Sequence, residues 1–212
     1  MTKSTDPGPL ELSALLCSRV CHDLISPVGA IVNGLEVLEE DDDEEMRGHA
    51  MELIKKSAAQ ASAKLQFARL AFGAAGSAGA ELDLADAKAM MEGMIDGDRV
   101  KLDWTAPVAT VDKDVVKLLL NMMLIATASI PRGGRLTVTV TIAEQPSLRI
   151  LAQGPSARIP DEAARYLADG GSRDGPLDAR SIQPLYTDMV ARGVGLKVRV
   201  AMDGDDFVIA TG

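Results

Sequence analysis

Residues 10–38 read LELSALLCSRVCHDLISPVGAIVNGLEVL. Within them Leu10, Ala14, Cys17, Cys21, Leu24, Val28, Ile31, Leu35 and Leu38 recur at alternating intervals of four and three. That spacing is an a/d seam sustained for about four heptads, the signature of a long helix packed as in a coiled coil or bundle. Pro27 falls inside it, removes one backbone donor and is expected to kink the helix. An acidic run, Glu39 to Glu45, follows, and then a second seam: Met51, Ile54, Ala58, Ala61, Leu65, Ala68 and Phe72. The two seams predict a helical hairpin with the acidic run at its tip, where carboxylates suit the first turn of the second helix. One hairpin buries a single stripe per helix and cannot close a core. Two hairpins packed together make a four-helix bundle, so the seams imply a homodimer or docking against the rest of the chain, and their length and uniformity favour the homodimer.

Outward from the hairpin the texture changes. Residues 1–9 are expected to be a short disordered lead, 10–72 the hairpin, and 73–80 (GAAGSAGA) a small-residue linker. From 81 to 212 helical and strand patterns mix. Asp83 is placed to cap a helix over Leu84–Ile95, and Asp112–Ile130 reads as an apolar helix closed by Pro131 and Gly133–Gly134. Val100–Trp104, Leu136–Ile142, Leu148–Leu151, Val194–Met202 and Phe207–Ala210 read as strands; Asp161–Ala168 and Ile182–Ala191 read as helices. Helices on one face of a mixed or antiparallel sheet make this an α/β sandwich, and the whole chain α+β.

Composition narrows the function. The chain has 212 residues, enough for one large or two small domains, and is 47% hydrophobic and 25% charged, which excludes wholesale disorder. Its net charge of -9 argues against nucleic-acid binding, which needs a positive surface. Cys17 and Cys21 are too few for a disulfide framework; both fall on the seam and are expected to be core residues. A metal site of Cys17, Cys21 and His22 is disfavoured because His22 leaves the helix on a different side. The first residues lack a basic n-region and an apolar h-region, and no uninterrupted apolar run approaches the roughly 18 residues of a spanning helix. The expectation is a soluble, cytoplasmic protein.

Of the two histidines, His49 sits near the hairpin tip and matches nothing. His22 takes a b position, beside the seam and pointing outward. A neutral imidazole there is a competent nucleophile toward phosphorus. Asp23 follows directly and is placed to orient the ring through Nδ1–H, leaving Nε2 free. Arg19 lies one turn back and Ser26 one turn on, within reach of the same surface.

Residues 22–28, H-D-L-I-S-P-V, resemble the H-box of sensor histidine kinases, His-Asp/Glu-Leu-Arg-Ser/Thr-Pro-Leu, with Ile25 where a basic residue is usual. In that family the histidine carries a phosphoryl group, the acidic neighbour assists transfer and the proline kinks the helix. Residues 81–212 are similar to the kinase ATPase domain, in degenerate form. Asn121 and the Pro131–Gly133–Gly134 ending fit the N-box helix, but the second, magnesium-binding asparagine corresponds to Ile125, which cannot ligate a hard cation. The adenine-binding aspartate corresponds to Ala152. Where the Gly-x-Gly-Leu lid box belongs, only Asp178–Gln183 stands; Gly193-Val194-Gly195-Leu196 lies beyond the last helix and reads as a turn.

A kinase-shaped chain with the histidine and without the ATP site resembles the ChpT-type histidine phosphotransferases of alphaproteobacterial phosphorelays, from about residue 10 to 212. The resemblance implies transfer from the receiver domain of a hybrid kinase (CckA-like) through His22 to response regulators (CtrA-like and CpdR-like). It implies no bound ATP and no metal of its own, the magnesium being the receiver's. An ATP-dependent sensor kinase and a non-catalytic receiver-binding scaffold are the rival readings.

Overall fold

The computed structural model describes residues 6–40, 43–73, 80–95, 97, 99–171, 177–179 and 181–212. The core of the expected linker, 74–79, and the first five residues of the expected lead lie outside these. Asp6 does not dangle: Arg192 donates to its carboxylate at 2.9 Å, and helix α1 already begins at Pro9. Proline suits the first helical position, where no N–H is needed. α1 runs Pro9–Glu40 and continues through Pro27. α2 spans Glu44–Ala71 and is capped by Asp43, whose carboxylate accepts from the Glu45 N–H at 2.9 Å. Across the tip Arg47 donates to the Leu38 carbonyl.

Each predicted seam splits in two. On α1 the residues turned toward α2 are Val20, Leu24, Pro27, Ile31, Gly34 and Leu38, all buried or half-buried. On α2 they are Ala50, Ile54, Ser57, Ala61, Lys64, Ala68 and Ala71. Both sets keep the four-three rhythm. Gly34 lets the helices approach closely, since a Cβ there would stand 2.6 Å from Ile54 Cγ1. The other half of each predicted seam faces outward: Cys17, Cys21, Val28 and Leu35 on α1, Met51, Ala58 and Leu65 on α2. The expectation of two core cysteines does not hold within the single chain. Both thiols are free and exposed in the single chain, because one helix partner covers only about half of so wide an apolar stripe. The expectation about membrane spans, that no uninterrupted apolar run is long enough, is to be set beside the length of α1. α1 is long and apolar enough to cross a membrane by length and composition. Two apolar seams carry that average, and Arg19, His22 and Asp23 interrupt them in mid-helix.

The rest of the chain is an α/β sandwich, so the molecule is α+β. A five-stranded mixed sheet has the order β2-β4-β5-β7-β6. Its strands are β2 (Val100–Thr105), β4 (Gly134–Thr141), β5 (Ser147–Gln153), β6 (Val198–Asp203) and β7 (Asp206–Thr211). β2 and β4 pair in parallel and the other pairs are antiparallel. The sequence pattern misses a small second sheet, β1 (Glu81–Asp83) with β3 (Thr110–Asp112), because three residues are too few to alternate visibly. Helices α3 (Leu84–Met94), α4 (Lys113–Ser129), α5 (Asp161–Leu167) and α6 (Ile182–Gly193) complete it. Asp83 caps α3 as expected, and Asp112, read as the first residue of α4, proves to be its cap; each accepts from the N–H two residues on, at 2.8 and 2.7 Å. α6 runs past its predicted end, and the Gly193–Leu196 string closes it: Gly195 has φ +71°, and Leu196 N–H bonds back to the Ala191 carbonyl. β6 accordingly starts at Val198, four residues later than expected.

α4 is the centre of the core, buried from Val115 to Met123 except for Lys117, and again at Ile125 and Ala126. The end of α2 enters the same core through Phe67, Leu70 and Ala71. A buried polar knot ties this junction. Asn121 Nδ2 donates to the Ala71 carbonyl at 2.9 Å and to Lys117 O at 2.8 Å, and its Oδ1 accepts from Gln183 Nε2 at 2.7 Å. Neither amide can be flipped, because Nδ2 is the atom that faces two carbonyls. Helices α2, α4 and α6 thus meet at one side chain.

Candidate functional site

His22 lies in the middle of α1 and leaves the helix away from the α2 contact, with its side chain 66% exposed. Nδ1 stands 3.4 Å from Asp23 Oδ1. The other oxygen, Oδ2, accepts from Arg19 Nε at 3.0 Å, an i,i+4 pair on the helix. Arg19 NH1 reaches the Ala179 carbonyl at 3.5 Å, just ahead of α6. A chain of contacts therefore runs from the imidazole through Asp23 and Arg19 to the sandwich.

The arrangement has a chemical consequence. With the proton on Nδ1, directed at a carboxylate, the lone pair sits on Nε2, the far nitrogen of the ring. A carboxylate so placed also stabilises the positive charge an imidazole gains when it attacks an electrophile. Both partners of the pair are about three-quarters covered, while the ring stays open to an incoming partner.

The predicted group divides accordingly. Arg19, His22 and Asp23 come together; Ser26 is exposed and has no hydrogen bond to them among the described residues. His49 pairs at 3.9 Å with Glu45 near the hairpin tip and has no part in the site. Two contributors lay outside the sequence reading. Lys64 of α2 donates to the Asp23 carbonyl at 2.9 Å. Arg19 lines a cavity of about 210 Å³, open between α1 and the sandwich, with Leu124, Ile125, Pro160, Gln183 and Pro184. Ile125 brings only aliphatic carbon to that wall, and Ala152 is wholly buried in β5. Among the described residues no group of three or more His, Cys, Asp or Glu is arranged to hold a metal ion. Asp178 and Gln183, at the ends of the expected lid segment, are described; Arg180 within it lies outside the described residues.

Residues 84–206 match the family model of the histidine phosphotransferase C-terminal domain. The protein phosphotransferase ChpT of Brucella abortus (strain 2308) is 45% identical over 202 residues, covering 95% of each chain. A solved structure of a bacterial phosphotransferase superposes with a TM-score of 0.87 at 42% identity, covering 98% of each chain. The hairpin and the sandwich are thus shared together, at an identity that leaves no room for coincidence of fold alone, and the chain belongs to the ChpT-type family of histidine phosphotransferases.

Proposed function

We propose that His22 is the phosphoryl acceptor and donor of a phosphorelay. The observation that carries this is the pairing of Nδ1 with Asp23, which leaves Nε2 as the nucleophile on an open ring. Nε2 attacks the phosphorus of an aspartyl phosphate on a receiver domain. An N–P bond forms, the P–O bond to the aspartate breaks, and the carboxylate keeps the bonding pair. The imidazolium that results is stabilised by Asp23 until the next receiver's aspartate attacks in turn and returns the ring to neutrality. Magnesium and most of the charge stabilisation belong to the receivers; this chain supplies position.

The partners are then the receiver of a hybrid histidine kinase upstream and response regulators downstream, of the CckA, CtrA and CpdR kind. The sandwich serves as a docking surface rather than a nucleotide site, since Ile125 and Ala152 replace the ligands that ATP and its magnesium would need. The outward apolar stripes, including Ile25 at 70% and Leu65 at 52% exposed, support a second copy packed against the hairpin as a four-helix bundle in the cytoplasm.

The deciding experiment incubates the chain with a receiver carrying radiolabelled aspartyl phosphate. Label should move to this chain, survive base and be lost in acid, and fail to appear on His22→Ala. Binding of receivers without any transfer would favour a scaffold, and labelling from ATP alone a kinase.

A further inference from the structure

Pro27 has no N–H, so the helical hydrogen bond that residue 27 would give to the carbonyl of residue 23 does not exist. Residue 23 is the aspartate whose carboxylate faces the His22 ring. Its carbonyl is nevertheless satisfied, from the other helix: Lys64 Nζ donates to Asp23 O at 2.9 Å. Lys64 stands on the inner seam of α2, between Ala61 and Ala68. It lines a crevice with Val20, Asp23, Leu24, Phe67 and Phe72. An ammonium group at this half-buried and mainly apolar seam position carries a desolvation cost that an aliphatic residue there would avoid. Simple packing of the hairpin does not call for it.

We propose that Lys64 is a positioning residue for phosphoryl transfer, standing in for the donor that Pro27 lacks and so fixing the turn of α1 that presents Asp23 and His22. The proposal rests on the reading of His22 as the acceptor. At a proline the helix loses its local restraint and bends. A rotation of the peptide after Asp23 swings that residue's side chain, and the 3.4 Å contact between Nδ1 and Oδ1 has little length to spare. Lys64 holds the peptide, the peptide holds the carboxylate, and the carboxylate selects the ring tautomer.

The test is single-turnover transfer from a phosphorylated receiver to the full chain, over a range of receiver concentrations. Lys64→Met should lower the saturating rate by about tenfold, the scale expected for small misplacements of reacting groups, and leave the half-saturating concentration unchanged. Lys64→Arg should recover most of the rate. The decisive arm is Pro27→Ala, which restores the N–H to Asp23 O. In that background Lys64→Met should cost less than about twofold, because the two donors serve one carbonyl. Nitrogen NMR of the unphosphorylated chain should show the Nδ1–H tautomer of His22 weakened in Lys64→Met and restored in the double variant. Equal losses in both backgrounds, a wild-type rate in Lys64→Met, or unmoved imidazole signals beside a slowed rate would each overturn the proposal. Should Lys64→Met melt early, Lys64→Leu, which also lacks a donor, replaces it in all arms. If the wild-type chain takes no label, it is the acceptor reading that fails, and the NMR arm still tests Lys64.

Discussion

α1 has 32 residues and buries only Pro27 and Gly34; α4 has 17 and buries eleven. Both are apolar helices by composition. α4 is surrounded by its own chain, with the sheet on one side and α3, α6 and the end of α2 on the other, so its residues are consumed by folding. α1 is packed along one side and leaves a second apolar stripe and the His22 ring outside. The contrast separates a helix consumed by folding from one that keeps an apolar stripe and the His22 ring outside, and it can be broken experimentally.

The largest effect expected is chemical and confined to the hairpin. His22→Ala should abolish phosphoryl acceptance from a receiver, while thermal melting moves by no more than about 0.5 kcal/mol, as for an ordinary surface substitution. Full labelling of this variant would end the contrast. Next come matched truncations. Leu119→Ala, in the middle of α4, should cost about 2–5 kcal/mol whatever the protein concentration. Leu35→Ala on the outward stripe should instead lower a melting temperature that depends on protein concentration, as it must where association contributes stability. A concentration-independent melt with a monomer in light scattering would contradict the bundle of two copies.

Smaller effects are expected where the two regions join. Asn121→Ala deprives Ala71 O and Gln183 Nε2 of their partners and should cost about 1–3 kcal/mol in denaturant unfolding. An unchanged midpoint would mean the knot is dispensable. The smallest effect is at alkaline pH. Tyr186 packs edge-on against Phe72 with ring centroids 5.8 Å apart, and burial, then the charge of Asp114, push its phenol up to about 12. Its folded pKa is raised above the ordinary value of 10.0, so its contribution is complete below pH 10 and is lost as pH rises from 10 toward 12. Tyr186→Phe should flatten that limb of the stability profile; an identical profile would remove Tyr186 from the account.

How far the sequence could be read depended on the range of the interaction involved. The cap Asp83 was legible because it bonds to an N–H two residues away, and Asp43 and Asp112 do the same at the starts of α2 and α4. The relation of His22 to Asp23 and Arg19 was legible because helix geometry alone brings residues one and four apart together. Asn121 was visible through the resemblance of its helix to a kinase N-box, yet its work as the tie to Ala71 was not. Lys64 left a partial trace. Pro27 guarantees that the carbonyl of residue 23 needs another donor, but nothing local says which residue supplies it.

What the sequence by itself determined is therefore the set of helices and the strands of the larger sheet, the hairpin, and the histidine with its flanking carboxylate. These follow from periodicity and from bonds within a turn. The tertiary structure decided which half of each apolar stripe is covered, so that Cys17 and Cys21 face out while Leu24 and Ile31 face in. It also decided who satisfies the buried polar groups: Lys64 for Asp23 across 41 residues, Asn121 for Ala71 across 50, Gln183 for Asn121 across 62. A repeating pattern records that an apolar face needs cover and a proline records that a carbonyl needs a donor. The identity of the cover and of the donor is settled only when distant segments pack, because burial and hydrogen bonding are properties of neighbours in space.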